Sequence, residues 1–457
     1  GGPSVGSSRS NYNDIYLYMT GGEVDSIVGG AGLSTTYGNR VLAITGGVVN
    51  YHVFGGYNGY IGNSGDGKLT GSSFIYVGGN ALIGNDNNVN NNTKLWGAEA
   101  GSVFGIGNGN SSNDSIGTND NSAIIIDGDA IVSGNVYGGG NNGATGINGT
   151  GNNYTHINLL GGLVKGNVYG GGNNNGAGSS SKFKVNIVLN GGVVEGSIYG
   201  GSRTKGTISG SVNLNLLSGH VKTSCYGGGE GGYVSSTNSG TFVTGNVDVV
   251  VGNADADNEL LKIDNSIYGG SAFGTVNGSS NSSNISSYNT TLQVLSGTIN
   301  NVYGGGEGND TYMPYVLGNV NVDVYGGSIN NVFGGSDQKG TPNGKVIVNI
   351  RGGKIVNAYA GGNKTEVGEP VINFYGGVTE NGYGGGNQAK VNVSNVLLDG
   401  GKVNNLFGSS NLSGDVSTSN VVVSSGIGEN IYGGNNIGGT TNISNVNING
   451  GEINNVY

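Results

Sequence analysis

The sequence predicts an all-β chain wound as a single parallel β-helix. Three observations carry this prediction. Apolar and polar residues alternate at a period of two. The alternating runs end on Gly-Gly corners. The whole pattern then returns about every 24 to 35 residues, the mark of a solenoid. The stretch Asn445 to Tyr457 shows one unit: an alternating strand, a Gly450-Gly451 corner, and a second short strand ending on an aromatic residue. Near copies run from Val320 to Phe333, Val346 to Tyr359, Val391 to Phe407, Ile157 to Tyr169 and Ile187 to Tyr199.

The residue that ends the second strand serves as a register mark. The marks are Val28, Phe54, Ile83, Phe104, Tyr137, Tyr169, Tyr199, Tyr226, Tyr268, Tyr303, Phe333, Tyr359, Tyr383, Phe407, Tyr432 and Tyr457, and Gly-Gly follows most of them. Sixteen marks at about 4.8 Å per stacked strand imply a rod of roughly 75 Å. Parallel crossovers make the right-handed sense the expected one. Residues 1–14 read as an irregular start or cap, 15–358 as loop-decorated coils, and 359–457 as regular shaft coils, all within one continuous solenoid.

The first strand of each coil is apolar at the second and fourth positions before the corner. Val322 and Val324, Val348 and Ile350, Ile372 and Phe374, Val396 and Leu398, and Val446 and Ile448 fill these positions, so they are expected inside. Asp323, Asn349, Asn373, Leu397 and Asn447 lie between them, on the wet side. A helix is excluded because Gly and Asn are poor helix formers and the apolar spacing is two, not 3.6. Glycine at the corners supplies positive φ or close backbone approach.

Two residues before the mark runs a polar column, among it Asn135, Asn167, Ser197, Asn301, Asn331, Asn357, Asn381, Asn405, Asn430 and Asn455. Stacked in register, these amides form a hydrogen-bonded ladder. The mark itself reads as a packed aromatic stack with tyrosine hydroxyls at the rim, because Phe and Tyr exchange freely there. An exposed sugar-binding ring ladder is the competing reading.

The insertions leave from the corner that follows the mark: 57–72, 107–121, 141–153, 230–244, 271–289 and 307–317. They define one irregular edge, and insertions on one side of a solenoid often mark its binding side. Solenoid corners also tolerate insertions cheaply, without any binding role. Glu230, Tyr233, Glu307, Asp310 and Tyr312 are the candidate contacts on this edge.

Composition removes several function classes. The net charge is −10, and 18 Lys and Arg are spread thinly, which leaves no basic patch for nucleic acid or anionic membrane. No apolar run approaches the roughly 20 residues of a spanning helix. Cys225 is the sole cysteine and reads as a small buried hydrophobe. Asp255, Asp257 and Glu259 place oxygens at alternate positions, so calcium is the one metal to consider. The EF-hand glycine and the nine-residue calcium-roll repeat are missing, and a solvated loop is the simpler reading. No catalytic set is evident. His52, His156 and His220 are isolated, and Arg9, Arg40, Arg203 and Arg351 are the only arginines that can clamp an anionic sugar.

The repeat consensus, Gly-Gly-x-Ile-x-Asn-Val-Tyr-Gly-Gly-Gly, resembles that of adhesin-like β-helix surface proteins of bacteria and some archaea. Their architecture is similar to filamentous haemagglutinin and autotransporter passengers. The resemblance covers about Ile15 to Tyr457 and brings no catalytic residues with it. It implies a non-enzymatic extracellular shaft that displays a loop-lined edge to a glycan or protein of a host or neighbouring cell. A carbohydrate-binding or carbohydrate-cleaving β-helix is the alternative, and a self-assembling fibre or surface-layer component is the second. The chain opens on Gly1-Gly2-Pro3 and stops mid-pattern at Tyr457, as expected of a piece of something longer that can also associate end to end.

Overall fold

The computed structural model describes residues 13–30, 37–56, 70–85, 94–95, 98–109, 121–142, 153–174, 181–232, 240–254, 260–279 and 284–457. Strands and turns make up these residues, with no helix among them, and nearly all strand pairs are parallel and join one coil to the next. The fold is the parallel β-solenoid that the alternation predicts. The chain divides into two compact units. One comprises Gly1–Asn215, Gly219–Thr223 and Gly228–Gly245; the other comprises Leu216–Ser218, Ser224–Gly227 and Asn246–Tyr457.

In the first unit, Ile15–Val24, Arg40–Val49, Ser73–Val77, Ser122–Ile126, Tyr154–Leu159 and Lys184–Val194 pair in sequence order. Every second residue points inward. Leu42, Ile75, Ile124, Ile157 and Ile187 form one buried column, and Ile44, Val77, Ile126, Leu159 and Leu189 form the next. After the corner, each coil adds two apolar dipeptides instead of one longer strand. Val49, Ile83, Val132, Val164 and Val194 belong to the first dipeptide. Val28, Phe54, Phe104, Tyr137, Tyr169 and Tyr199 belong to the second.

This geometry corrects one register mark. Ile83 stacks on Val49 and Val132, while Phe54 pairs directly with Phe104. Phe54 and Phe104 therefore mark successive coils. Ile83 is an apolar residue that ends a dipeptide, but it sits on the earlier side of the coil.

The second unit repeats the plan with less loop. Val247–Val251, Asn289–Val294, Asn319–Val324, Val346–Ile350, Val371–Phe374, Val391–Phe407, Val416–Tyr432 and Thr441–Ile448 stack in order. Val322, Val324, Val348, Ile350, Ile372, Phe374, Val396 and Leu398 are all buried, as the alternation requires. Ile448 is in the same column, stacked on Val423, yet it is 43% exposed. Asp323 and Asn349 depart from the expected wet side, with only 8% of each exposed. They form a ladder of their own: Asn349 donates to Asp323 at 2.9 Å and Asn373 donates to Asn349 at 2.9 Å.

Glycine has two separate tasks. At the corner, Gly353 takes φ +86°, and a Cβ there would lie 2.9 Å from the Gly327 carbonyl oxygen. After the mark, Gly138 has no such φ, but a Cβ would stand 2.5 Å from the Gly170 carbonyl oxygen of the next coil.

Candidate functional site

The aromatic mark is a stack of rings, most of them buried. Phe54, Phe104, Tyr137, Tyr169 and Tyr199 lie with centroids 4.7–5.0 Å apart in the first unit. From Tyr226 through Phe333 to Tyr457 the spacing is 4.5–5.1 Å in the second. Neighbouring rings are close to parallel, because the register of the flanking strands fixes them one coil apart. The packed reading of the column holds for Phe54 to Tyr199 and for Tyr226 to Phe407, whose rings are buried, while Tyr457 is 67% exposed.

Four residues past each mark runs a further column. After its mark the chain makes two small-residue steps and turns, which brings this side chain back across the tyrosine hydroxyls. In the first unit Asn141 donates to Asn108 at 2.9 Å and Asn173 donates to Asn141 at 2.7 Å. In the second unit Asn387, Asn411 and Asn436 each donate to the amide oxygen one coil back, at 2.9 Å. The ladder is broken by charge at Arg203 and Glu230 in the first unit, and at Glu307 and Asp337 in the second.

These charged groups meet the phenols. Tyr169 donates to Glu230 at 2.6 Å, and the Arg203 guanidinium lies 3.7 Å from the same carboxylate. Arg203 also donates to the Tyr137 hydroxyl at 3.3 Å and to Asn173 at 3.4 Å. In the second unit Tyr226 donates to Glu307 at 2.6 Å and Tyr268 to Asp337 at 3.5 Å. Asn363 and Gln338 each donate to the other oxygen of Asp337, at 2.7 and 2.8 Å. The rule is regular: each such hydroxyl meets the side chain contributed two coils later. Asn411 on Tyr359, at 3.1 Å, follows it with a neutral partner.

Burial sets the proton positions. Tyr169, Tyr268 and Tyr303 are held well above the usual phenol range, first by burial and then by the neighbouring carboxylates. They remain donors at any physiological pH. Glu307 is raised as well, mainly by burial; the Tyr226 hydroxyl opposes the shift and the Asp337 charge adds to it.

The predicted contacts therefore have different places. Glu230 and Glu307 turn into the ladder, each tied to a tyrosine. Asp310 is exposed on a tight turn in which the Asn309 side chain accepts from the Thr311 and Tyr312 amides at 2.8 Å. Tyr312 is half-buried, its ring 5.7 Å from that of Phe273. Tyr233 and the calcium candidates Asp255, Asp257 and Glu259 lie outside the described residues, as does Arg9. Arg40 cannot reach a ligand: its guanidinium is buried and donates to the carbonyls of Gly38, Thr70 and Gly71 at 2.7–2.8 Å. Arg351 is partly open and lies between the rings of Tyr325 and Tyr375, 5.7 and 4.9 Å from their centroids. The sequence reading missed Arg203 and Asp337 as partners of the tyrosines. Counting four past each mark would have exposed them as charges in an asparagine column.

The polar column before the mark works in two ways. In the second unit Asn331, Asn357, Asn381, Asn405, Asn430 and Asn455 form the expected ladder at 2.8–3.0 Å. In the first, Asn135 and Asn167 donate to the hydroxyls of Tyr137 and Tyr169, at 3.1 and 3.0 Å. Their oxygens accept from the backbone of the following coil at 2.7 Å.

Comparison with family models, with curated proteins and with solved structures finds no match.

Proposed function

We propose that the chain is a non-enzymatic extracellular shaft of the adhesin type, whose loop edge meets a glycan or protein on another cell surface. One observation carries the reading. Two acidic residues of the candidate edge, Glu230 and Glu307, serve as hydrogen-bond acceptors for buried ladder tyrosines. Their chemistry is spent on holding one coil to another, together with the stacked rings and amide ladders that recur at each level. This construction suits a part that resists bending and keeps its loops at fixed positions, and each level adds its own nearest-neighbour stabilisation.

The test compares the purified protein with a version shortened within 279–287 and 309–313, which spares Glu307 and the paired strands Thr275–Val276 and Tyr315–Val316, on a broad glycan array and on whole cells. The shortened version is expected to melt within a few degrees of the parent and to lose binding. Equal binding by both versions would remove the edge from the reading, and release of reducing ends from any bound polysaccharide would replace it with an enzyme.

A further inference from the structure

A second surface lies at the Gly-Gly corners that precede the mark. In the second unit the Gly-Gly corners of consecutive coils leave a shallow furrow of about 580 Å³. Gly326, Gly327 and Gly353 form its floor, because positive φ at Gly327 and Gly353 keeps side chains out of the corner. It runs past five coil levels, from Ala254 to Val378, which is about 19 Å at the spacing of stacked strands.

The corner glycines recur along the unit, so the floor alone distinguishes nothing. The walls do. Tyr325 stands on one side with 47% of its surface exposed. Its ring is braced by the Arg351 guanidinium, and Arg351 is fixed in turn by Tyr375 and by Asp323 at 3.4 Å. On the other side Ser328, Lys354 and Val378 stack one above another, with Lys402 next in the column. Ser328 offers an exposed hydroxyl, and Leu295 and Val378 offer apolar contact, while the Ser296 hydroxyl is buried and accepts from the Asn253 amide at 3.0 Å.

The charge is as informative as the shape. The protein as a whole carries −10, yet among the described residues the one charged residue lining this furrow is Lys354, with Lys402 two levels further along the same column. Asp323 is buried and bonded to Asn349 and Arg351, so it matches the Arg351 charge and leaves Lys354 as the furrow's own cation. A long, open furrow with a braced ring, the Ser328 hydroxyl and Lys354, continued by Lys402 along its column, fits an extended chain of sugars that carries carboxylate or sulfate groups. We propose that this furrow binds a linear acidic polysaccharide. The proposal rests on the display-shaft reading and adds to it a ligand class and a location.

The test is a titration with three probes: a heparin oligosaccharide (sulfated), an oligogalacturonate (carboxylated) and dextran (neutral). At least one acidic probe is expected to bind, more weakly as salt rises, while dextran does not. Tyr325→Ala and Lys354→Gln are each expected to weaken binding about fivefold or more, whereas Lys364→Gln, outside the furrow, leaves it unchanged. Lys354 is a surface side chain, so Lys354→Gln stays informative even if Tyr325→Ala disturbs folding. Failure of both acidic probes, equal binding of dextran, or wild-type affinity in Tyr325→Ala and Lys354→Gln would overturn the proposal. The loop-shortened protein separates the two readings. Acidic binding that survives loop removal belongs to the furrow; binding that vanishes with the loops and ignores Tyr325→Ala belongs to the edge and overturns the furrow.

Discussion

Glu307 shows how one residue can trade charge for order. Its carboxylate accepts a 2.6 Å bond from Tyr226, which favours the ionised form, but burial and the Asp337 charge together push the other way. The folded protein therefore holds a proton on Glu307 more readily than the unfolded chain does. The stability this provides is complete below the ordinary glutamate value, near pH 4.3, and is lost as pH rises through the higher folded value. Gln keeps an acceptor for Tyr226 and removes the charge. Glu307→Gln is expected to match the parent in thermal melts near pH 4 and to melt higher at pH 7. A lower melting temperature at pH 7 would mean that the charge-assisted bond outweighs desolvation. Tyr169→Phe tests the first unit. It removes one donor to Glu230 and the acceptor of Asn167, and urea unfolding should show a loss of about 1–3 kcal/mol. An unchanged midpoint would show that water takes over both bonds.

At the scale of the strand, the inward column makes a sharper claim than any single residue. Val423 and Ile448 are register partners on the same inward position, but Val423 is fully buried and Ile448 is 43% exposed. Alternation alone treats them as equal; the structure separates them by their exposure. Val423→Asp is expected to cost about 3–5 kcal/mol, since an unpaired carboxylate would be enclosed between coils. Ile448→Asp is expected to cost about 1 kcal/mol or less, because its carboxylate reaches water. Chemical denaturation of the two variants side by side gives the answer, and similar losses would contradict the assigned coverage.

The same scale explains what was legible. Period-two alternation is local, so the first strands could be read directly, as could the corner at Gly352-Gly353. The assignment of Ile83 failed because coils of the first unit offer two apolar dipeptides after the corner, and the Gly-Gly that usually follows the stacked one is missing even at Phe104, which Gly105 and Ile106 follow. Ile83 is followed by Gly84 and Asn85. The burial of Asp323 and the pairing of Tyr169 with Glu230 were not legible, because both depend on contacts one or two coils away, with no trace in the local pattern.

For the whole molecule, the buried phenols set a limit at high pH. Tyr169, Tyr268, Tyr303, Tyr359 and Tyr383 are raised, in each case first by burial. They are distributed over both units, so the effect does not depend on one coil. An unfolded tyrosine ionises near pH 10, whereas a folded one in the stack keeps its proton well beyond that. The unfolded chain therefore binds fewer protons above about pH 10, and stability falls steadily as pH rises past that value. Below it both states hold the phenolic protons, and this contribution does not change with pH. Ionisation of the ladder tyrosines should consequently coincide with unfolding. In an alkaline titration followed by phenolate absorbance and far-ultraviolet circular dichroism, a late cooperative rise in phenolate should accompany loss of the β signal. Smooth ionisation of nearly all 25 tyrosines near their ordinary value, with the β signal intact, would show that the rings are open to solvent and that the stack does not hold the coils together.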